Sequence, residues 1–437
     1  MNTAYEDYRD ANSRWVDRIP THWRIERLKF VARPQASNVD KHSKDDEIPV
    51  RLCNYTDVYN NAQITADMDF MEATATEAEI EKFTLTDDEV IITKDSESWE
   101  DIAVPTHVPK AIEGVLCGYH LTQIRPDKEQ LDGRYLYYQL CSAALNRQFQ
   151  VKANGVTRFG LPAYHIDNAE TIIPRIAEQR AIAQFLDTKT TEIDELIGKR
   201  EALLVLQREQ RIAMITHAVT RGLNGSDKLS RTSIPWLEAI PSHWRLVPLK
   251  WCCRIASGQV DPTADDFREL PLIAPDHIES WTGRILPFTS AEEQGAISGK
   301  YAYAEGTLLY SKIRPELSKV CIAPVDGLCS ADMYAISPSE EILTKFLFYQ
   351  FLSRHFHQFA VLESMRVAMP KVNREALGAF PILVPPREEQ EVIVQYLDQA
   401  LSALDKSSCA IRNAINHLLE YRSAVITAAV TGQIKVV

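Results

Sequence analysis

The chain has 437 residues, enough for two or three domains, and 45% of them are apolar, enough for packed cores. Its formal net charge of −12 argues against a protein that holds nucleic acid by bulk electrostatics alone. No apolar run is long enough to span a bilayer, and MNTAYEDYRDANSRW is too polar for a signal peptide. The eight cysteines include no CxxC pair, so a cytoplasmic location with inert, buried thiols is expected.

In chain order, the first landmark is an Ile-Pro-x-His-Trp motif that the chain writes twice. Trp15, Ile19, Pro20, His22, Trp23, Arg24, Leu28 and Lys29 recur as Trp236, Ile240, Pro241, His243, Trp244, Arg245, Leu249 and Lys250, at a constant offset of 221 (Pro20 to Pro241). A variable block follows each copy, and within it the match thins to a skeleton. Val90-Ile91-Ile92-Thr93-Lys94 parallels Leu308-Leu309-Tyr310-Ser311-Lys312, both strand-like. Cys117 and Cys329 sit in similar short strands. Tyr135-Leu136-Tyr137-Tyr138-Gln139 parallels Phe346-Leu347-Phe348-Tyr349-Gln350, which reads as a buried helix. The loops between share little, so the blocks read as two α+β domains of one fold with different targets.

Each block leads into a long helix, and the helices are duplicated too. Pro174, Glu178, Gln179, Ile182, Gln184, Leu186 and Asp187 recur at an offset of 211, as Pro385, Glu389, Gln390, Ile393, Gln395, Leu397 and Asp398. Ile215, Thr216, Ala218, Val219 and Thr220 recur as Ile426, Thr427, Ala429, Val430 and Thr431. Leu397, Leu404, Ile411, Leu418 and Val425 repeat every seven residues, with Ala400, Ser407, Ala414, Tyr421 and Ala428 as companions, the seam of a coiled coil. Leu186, Ile193, Leu196, Leu203 and Met214 carry the seam in the first copy, interrupted by Arg200 and Gln207. Pro174 and Pro385 precede the helices, and Gly222 and Gly432 follow them as C-caps. From Glu178 to Thr220 such a helix is roughly 60 Å long. The simplest partner for each helix is the other, packed antiparallel. The fold class is thus α+β: two similar domains separated by two long helices in an antiparallel coiled coil, with an internal pseudo-two-fold repeat. The expected boundaries are 1–172 for the first domain, 173–222 for the central helix, 223–235 for a flexible linker, 236–383 for the second domain and 384–437 for the distal helix and tail.

A search for catalytic chemistry is negative. There is no Walker-type loop and no GxG. His355-Phe356-His357 lacks further ligands at zinc spacing and reads as a structural or surface pair. His22 and His243 have apolar neighbours and read as structural. No nucleophile–base pair stands out, so no catalytic residue and no metal site is expected. Binding signals are positive. In the second domain these are Tyr310, Lys312, Arg314 and Lys319, then Arg366 and Lys371 in SMRVAMPKVNREAL. In the first they are Lys94, Ser96 and Trp99, then Lys152, Asn154, Thr157 and Arg158 in VKANGVTRFGLP. Such side chains on loops reach phosphates and base edges.

The Ile-Pro-x-His-Trp copies, the pre-helix Pro-x-x-x-Glu-Gln (Pro174 to Gln179, Pro385 to Gln390) and the helix ends Ile-Thr-x-Ala-Val-Thr together resemble the DNA-specificity subunit of type I restriction–modification systems. The resemblance covers essentially the whole chain. It implies two target-recognition domains, each reading half of a split double-stranded DNA sequence, and a two-helix spacer. It further implies two methyltransferase (modification) subunits docked on the spacer, restriction/translocase subunits for cleavage, and no cofactor on this chain itself. The partners are expected to use S-adenosylmethionine, ATP and Mg2+. The first domain has the family's loop glycine at Gly155, whereas the second has Ser364-Met365 there. The competing reading is a bivalent protein-binding adaptor, which the duplication and coiled coil fit equally well but the basic-polar loops fit less. A self-contained methyltransferase is excluded by the absence of its Asn/Asp-Pro-Pro-aromatic motif and cofactor loop.

Overall fold

The computed structural model describes residues 4–365 and 370–436, so Arg366 lies outside the described residues. The chain divides into two compact units, residues 1–199 with 413–437, and residues 200–412.

In the first unit an antiparallel four-stranded sheet runs in the order Pro105–Val108, Glu89–Thr93, Leu121–Pro126, Ala32–Ala36. Val90 and Ile92 enter a core shared with the helices, while Ile91 enters a core under the neighbouring sheet. Alternate side chains therefore find apolar cover on both faces, which is why this run is continuously hydrophobic. The neighbouring sheet runs Met71–Ala75, Ile48–Cys53, Ile112–Cys117, Thr84–Leu85, with its middle pair parallel. A ribbon of Arg24–Arg27 with Glu170–Ile173 closes the domain where it meets the long helix.

The second unit repeats this plan. Its first sheet runs Cys253–Ile255, Met333–Pro338, Leu308–Ser311, Val320–Ile322. Its second runs Leu272–Ile273, Gly327–Cys329, Tyr301–Tyr303, again with a parallel pair. The ribbon is Arg245–Pro248 with Pro381–Val384. Cys117 and Cys329 occupy corresponding buried strands, as expected, and among the described residues no cysteine forms a disulfide.

Repeated residues do repeated jobs. In the buried helix Gly133–Cys141, Gln139 donates to the Ile172 carbonyl and accepts from the Ile172 N–H, both at 2.8 Å. In Thr344–Phe351, Gln350 does the same for Leu383 at 2.9 and 2.8 Å. The pre-helix glutamines staple the helix starts: Gln179 donates to the carbonyls of Gln130 and Pro174, and Gln390 to those of Glu341 and Pro385. Their glutamate neighbours hold the motif histidines, with His22 Nε2 at 3.1 Å from Glu178 and His243 Nε2 at 2.8 Å from Glu389. Tyr138 donates to Asp187, and Tyr349 donates to Asp398.

The long helices span Ile176–Arg221 and Arg387–Val430. Gly222 and Gly432 follow them at φ of 73° and 72°, the left-handed geometry in which glycine closes a helix without a Cβ penalty. Within the second unit Gln207 bonds Ser407 and Ser408, and Arg211 meets Asp405 at 2.5 Å, so numbering rises on one helix as it falls on the other. The pair is antiparallel. In the first unit Arg422 reaches Asp194 at 2.9 Å. Contact thus runs through polar partners at several positions, and the expected apolar seam is only partly buried. Leu186, Ile193, Leu397 and Ile411 are inside, but Leu196, Leu203 and Tyr421 are 47%, 44% and 56% exposed. Gln207, an interruption of the seam in sequence, is its bridge in space.

The helix ends carry an arrangement the repeat alone does not reveal. Ile215, Ala218 and Val219 of the first helix pack in the core that holds Trp244 and Phe346. Ile426, Ala429 and Val430 of the second helix pack in the core that holds Trp23 and Tyr135. Each Ile-Thr-x-Ala-Val-Thr segment therefore completes the unit built from the other repeat.

Candidate nucleic-acid interface

In the first unit the chain leaves strand Glu89–Thr93 into a short segment, Asp95–Ser96, that pairs with Phe159–Gly160. Four backbone bonds fix the surroundings. Lys94 N–H donates to the His120 carbonyl at 3.0 Å, Leu161 N–H to the Lys94 carbonyl at 2.8 Å, and Asn154 exchanges two bonds with Gly160. The loop between Asn154 and Gly160 needs Gly155, because a Cβ there would lie 1.9 Å from the Arg158 carbonyl oxygen. Lys152, Asn154, Thr157 and Arg158 are exposed on this loop, as expected, and Trp99 is 45% exposed on the turn after Ser98.

Two expected contacts take other roles. Ser96 is buried, and its hydroxyl accepts from the Ser98 N–H at 3.2 Å. Lys94 is half-buried and spends its ammonium on the Ser37 carbonyl at 3.2 Å. Both hold the loop in place.

Sequence reasoning missed the groups around this segment. His120 Nδ1 lies 2.7 Å from Asp95 Oδ2, and Arg158 Nη2 lies 3.3 Å from His120 Nε2. The Tyr55 and Tyr59 rings stack at 5.6 Å, and the Tyr59 hydroxyl donates to Asp101 at 2.5 Å. Burial raises the pKa of Tyr55, with Ser96 and Arg158 opposing the shift and Asp101 adding to it. Aligning the turns after Cys117 and Cys329 is the sequence signal that could have found His120.

The second unit has the same frame. Lys312 N–H donates to the Asp332 carbonyl and Val372 N–H to the Lys312 carbonyl, each at 2.9 Å, and Ile313 bridges Lys371. Lys312 directs its ammonium to the Ala331 carbonyl and Lys319 to the Pro275 carbonyl at 2.8 Å, so both are ties like Lys94. Tyr310 is corrected outright. It is fully buried, edge-on to Phe351 and Phe356 at 5.4 and 5.0 Å, because its strand is covered on both faces. Arg314 is exposed at φ 48° and ψ 56°, and Lys371 is exposed. Arg314 opens a turn, Pro315–Leu317, that ends at Ser318, a second left-handed residue, whose hydroxyl bonds His357 at 3.0 Å.

The His355/His357 pair is structural. His355 takes a bond from Trp236 Nε1 at 3.1 Å and reaches the Pro381 carbonyl, and burial lowers its pKa. Among the described residues Asp227, His243 and Glu389 bring ligand-type atoms within 4.8 Å of one another. The first repeat has the same His–carboxylate bond with the Tyr5 hydroxyl on Glu178 at 2.6 Å, so what recurs is a tie between motif and helix.

Against known families, residues 48–204 and 249–420 match the type I restriction modification DNA specificity domain, one match in each repeat. The chain belongs to this family. The specificity subunit of the type I restriction enzyme EcoDI of Escherichia coli is 30% identical over 284 residues, which cover 62% of this chain and 63% of that protein, less than two thirds of its length. The StySPI specificity subunit of Salmonella potsdam is 20% identical over 410 residues, covering 90% of this chain and 83% of that one. A solved chain from a study of complex assembly and conformational transition in the type I R-M system superposes with a TM-score of 0.69 at 17% identity. It covers 95% of this chain and 99% of that chain, and it shows a shared fold. The matched family model describes a DNA specificity domain, and the matched curated proteins are named specificity subunits of type I restriction enzymes. Among the described residues no helix is long and apolar enough to cross a membrane.

Proposed function

We propose that this chain is the non-catalytic subunit that gives a type I restriction–modification complex its target. Each domain reads one half of a bipartite double-stranded DNA sequence, and cytoplasmic partner subunits methylate adenine or cleave. The observation that carries this reading is a family match in each repeat, placed on two copies of one scaffold whose loops differ. The exposed Trp99, Lys152, Asn154, Thr157 and Arg158 serve the first half-site, and Arg314 and Lys371 the second, while Lys94, Lys312, Lys319 and Ser96 hold the loops that present them. Two methyltransferase subunits using S-adenosylmethionine dock on the long helices, and restriction/translocase subunits using ATP and Mg2+ join for cleavage.

The net charge of −12 fits a subunit that supplies base contacts while its partners supply much of the phosphate neutralisation. Purified alone, the chain should therefore show no methyltransferase, ATPase or nuclease activity, and it should bind nonspecific DNA weakly at physiological salt. Isolation from its native cells should bring methyltransferase subunits with it. Tight nonspecific binding by the lone chain, or methyl transfer by it, would overturn the proposal.

A further inference from the structure

We propose that Asp95 and His120 are positioning residues that hold Arg158 as a guanine-reading fork in the first recognition domain; this rests on the specificity-subunit reading above. A carboxylate only accepts, so the 2.7 Å contact from Asp95 Oδ2 puts the proton on His120 Nδ1. Arg158 Nη2 lies 3.3 Å from His120 Nε2 and 3.4 Å from Nδ1, so the guanidinium rests on the face of the imidazole that Asp95 orients. The Asp95 bond fixes the ring, and the ring's face supports one side of the guanidinium. The other N–H groups of Arg158 make no hydrogen bond among the described residues, on an exposed side chain, and such a fork matches the O6 and N7 acceptors that guanine shows in the major groove.

Every member is also held by backbone. Asp95 pairs with Gly160, His120 accepts from Lys94 through its carbonyl, and Arg158 precedes Phe159, which pairs with Ser96. The His120 ring rests on Tyr119 with centroids 3.7 Å apart. A side chain held this way gives up little conformational freedom on meeting DNA, which is what a base reader requires.

The duplication separates scaffold from specificity. Many bonds that serve the fold recur in both repeats, as the pairs Gln139/Gln350, His22/His243 and Gln179/Gln390 do. The Asp95–His120–Arg158 chain does not recur. The carbonyl that accepts from Lys312 belongs to Asp332, and the residue after Lys312 is Ile313, so the second domain has neither the imidazole nor the carboxylate at these places. A polar chain present in one copy of a common frame belongs to what distinguishes the two copies.

The test is methylome sequencing of the assembled methyltransferase complex carrying Arg158→Ala, His120→Ala, His120→Gln, Asp95→Ala or Asp95→Asn, with thermal unfolding of each variant as the control for folding. Arg158→Ala should lose discrimination by roughly 5- to 150-fold at one G·C position in one half-site, leaving the other half-site sharp. His120→Ala, His120→Gln and Asp95→Ala should relax that same position more weakly. Asp95→Asn, whose amide oxygen still accepts the Nδ1 proton, should restore it. If Arg158→Ala weakened methylation of all sites alike, the contact would be to phosphate and the proposal would fail. It would fail equally if the histidine and aspartate variants left that position sharp. In either case the parent complex would still methylate a bipartite sequence, whereas loss of the wider reading would show as no bipartite sequence in the parent itself.

Discussion

Replacing Arg314 with glycine is expected to leave folding stability unchanged or raise it by up to about 1 kcal/mol, while cutting affinity for the second half-site by roughly 5- to 150-fold. The two effects share one cause. Arg314 sits at φ 48° and ψ 56°, where a side chain costs energy that glycine does not, and it is exposed, with no side-chain hydrogen bond or ion pair among the described residues. Strain kept at an exposed cation in a loop is the pattern of a residue retained for contact with a ligand. Glycine relieves the strain and removes the cation together. Arg314→Ala should lose the affinity without the relief. Urea unfolding and DNA binding by the assembled complex read the two quantities separately. A glycine variant that lost stability and kept full affinity would show that Arg314 serves the fold.

Truncating Trp23 to alanine is expected to destabilise the protein by about 3–5 kcal/mol. Trp23 is only 1% exposed, packs edge-on to Tyr5 at 5.6 Å, and lies in the core completed by Ile426, Ala429 and Val430. Among the described residues the buried indole N–H of Trp23 has no hydrogen-bond partner. Trp23→Phe should therefore cost much less than Trp23→Ala, since no bond is lost with the ring. Its counterpart Trp244 donates to Glu389 at 3.0 Å, so Trp244→Phe should cost more than Trp23→Phe by the worth of one charged hydrogen bond, about 1.5–3 kcal/mol. A shift in the urea midpoint equivalent to less than about 1 kcal/mol for Trp23→Ala would contradict the packing described.

Much of the scaffold was legible because the chain states it twice. Gln139 and Gln350, Asp187 and Asp398, and His22 and His243 stand at fixed offsets because each pair makes the same bonds, so duplication in sequence was duplication of function within the fold. What periodicity could not show is the origin of each helix end's partners. Ile215 and Ile426 are apolar in either packing, and only three-dimensional contact says that each completes the other repeat's core. The site was legible in outline and misread in detail. Tyr310 stands beside basic residues in sequence, yet its strand is covered on both faces and buries it, while Lys312 turns back to a carbonyl. His120 and Tyr55 were missed because they come from a turn and a helix far from the basic loops, joined to them only by the fold.

The central claim, two independent readers on one duplicated scaffold, is tested most directly by exchange of a domain. Residues 28–169 can be replaced with those of a related specificity subunit while leaving the ribbon Arg24–Arg27 with Glu170–Ile173 and both long helices in place. Methylome sequencing of the assembled complex should then show one half of the target changed to that of the donor, and the other half retained. A target altered in both halves, or in neither, would contradict the account.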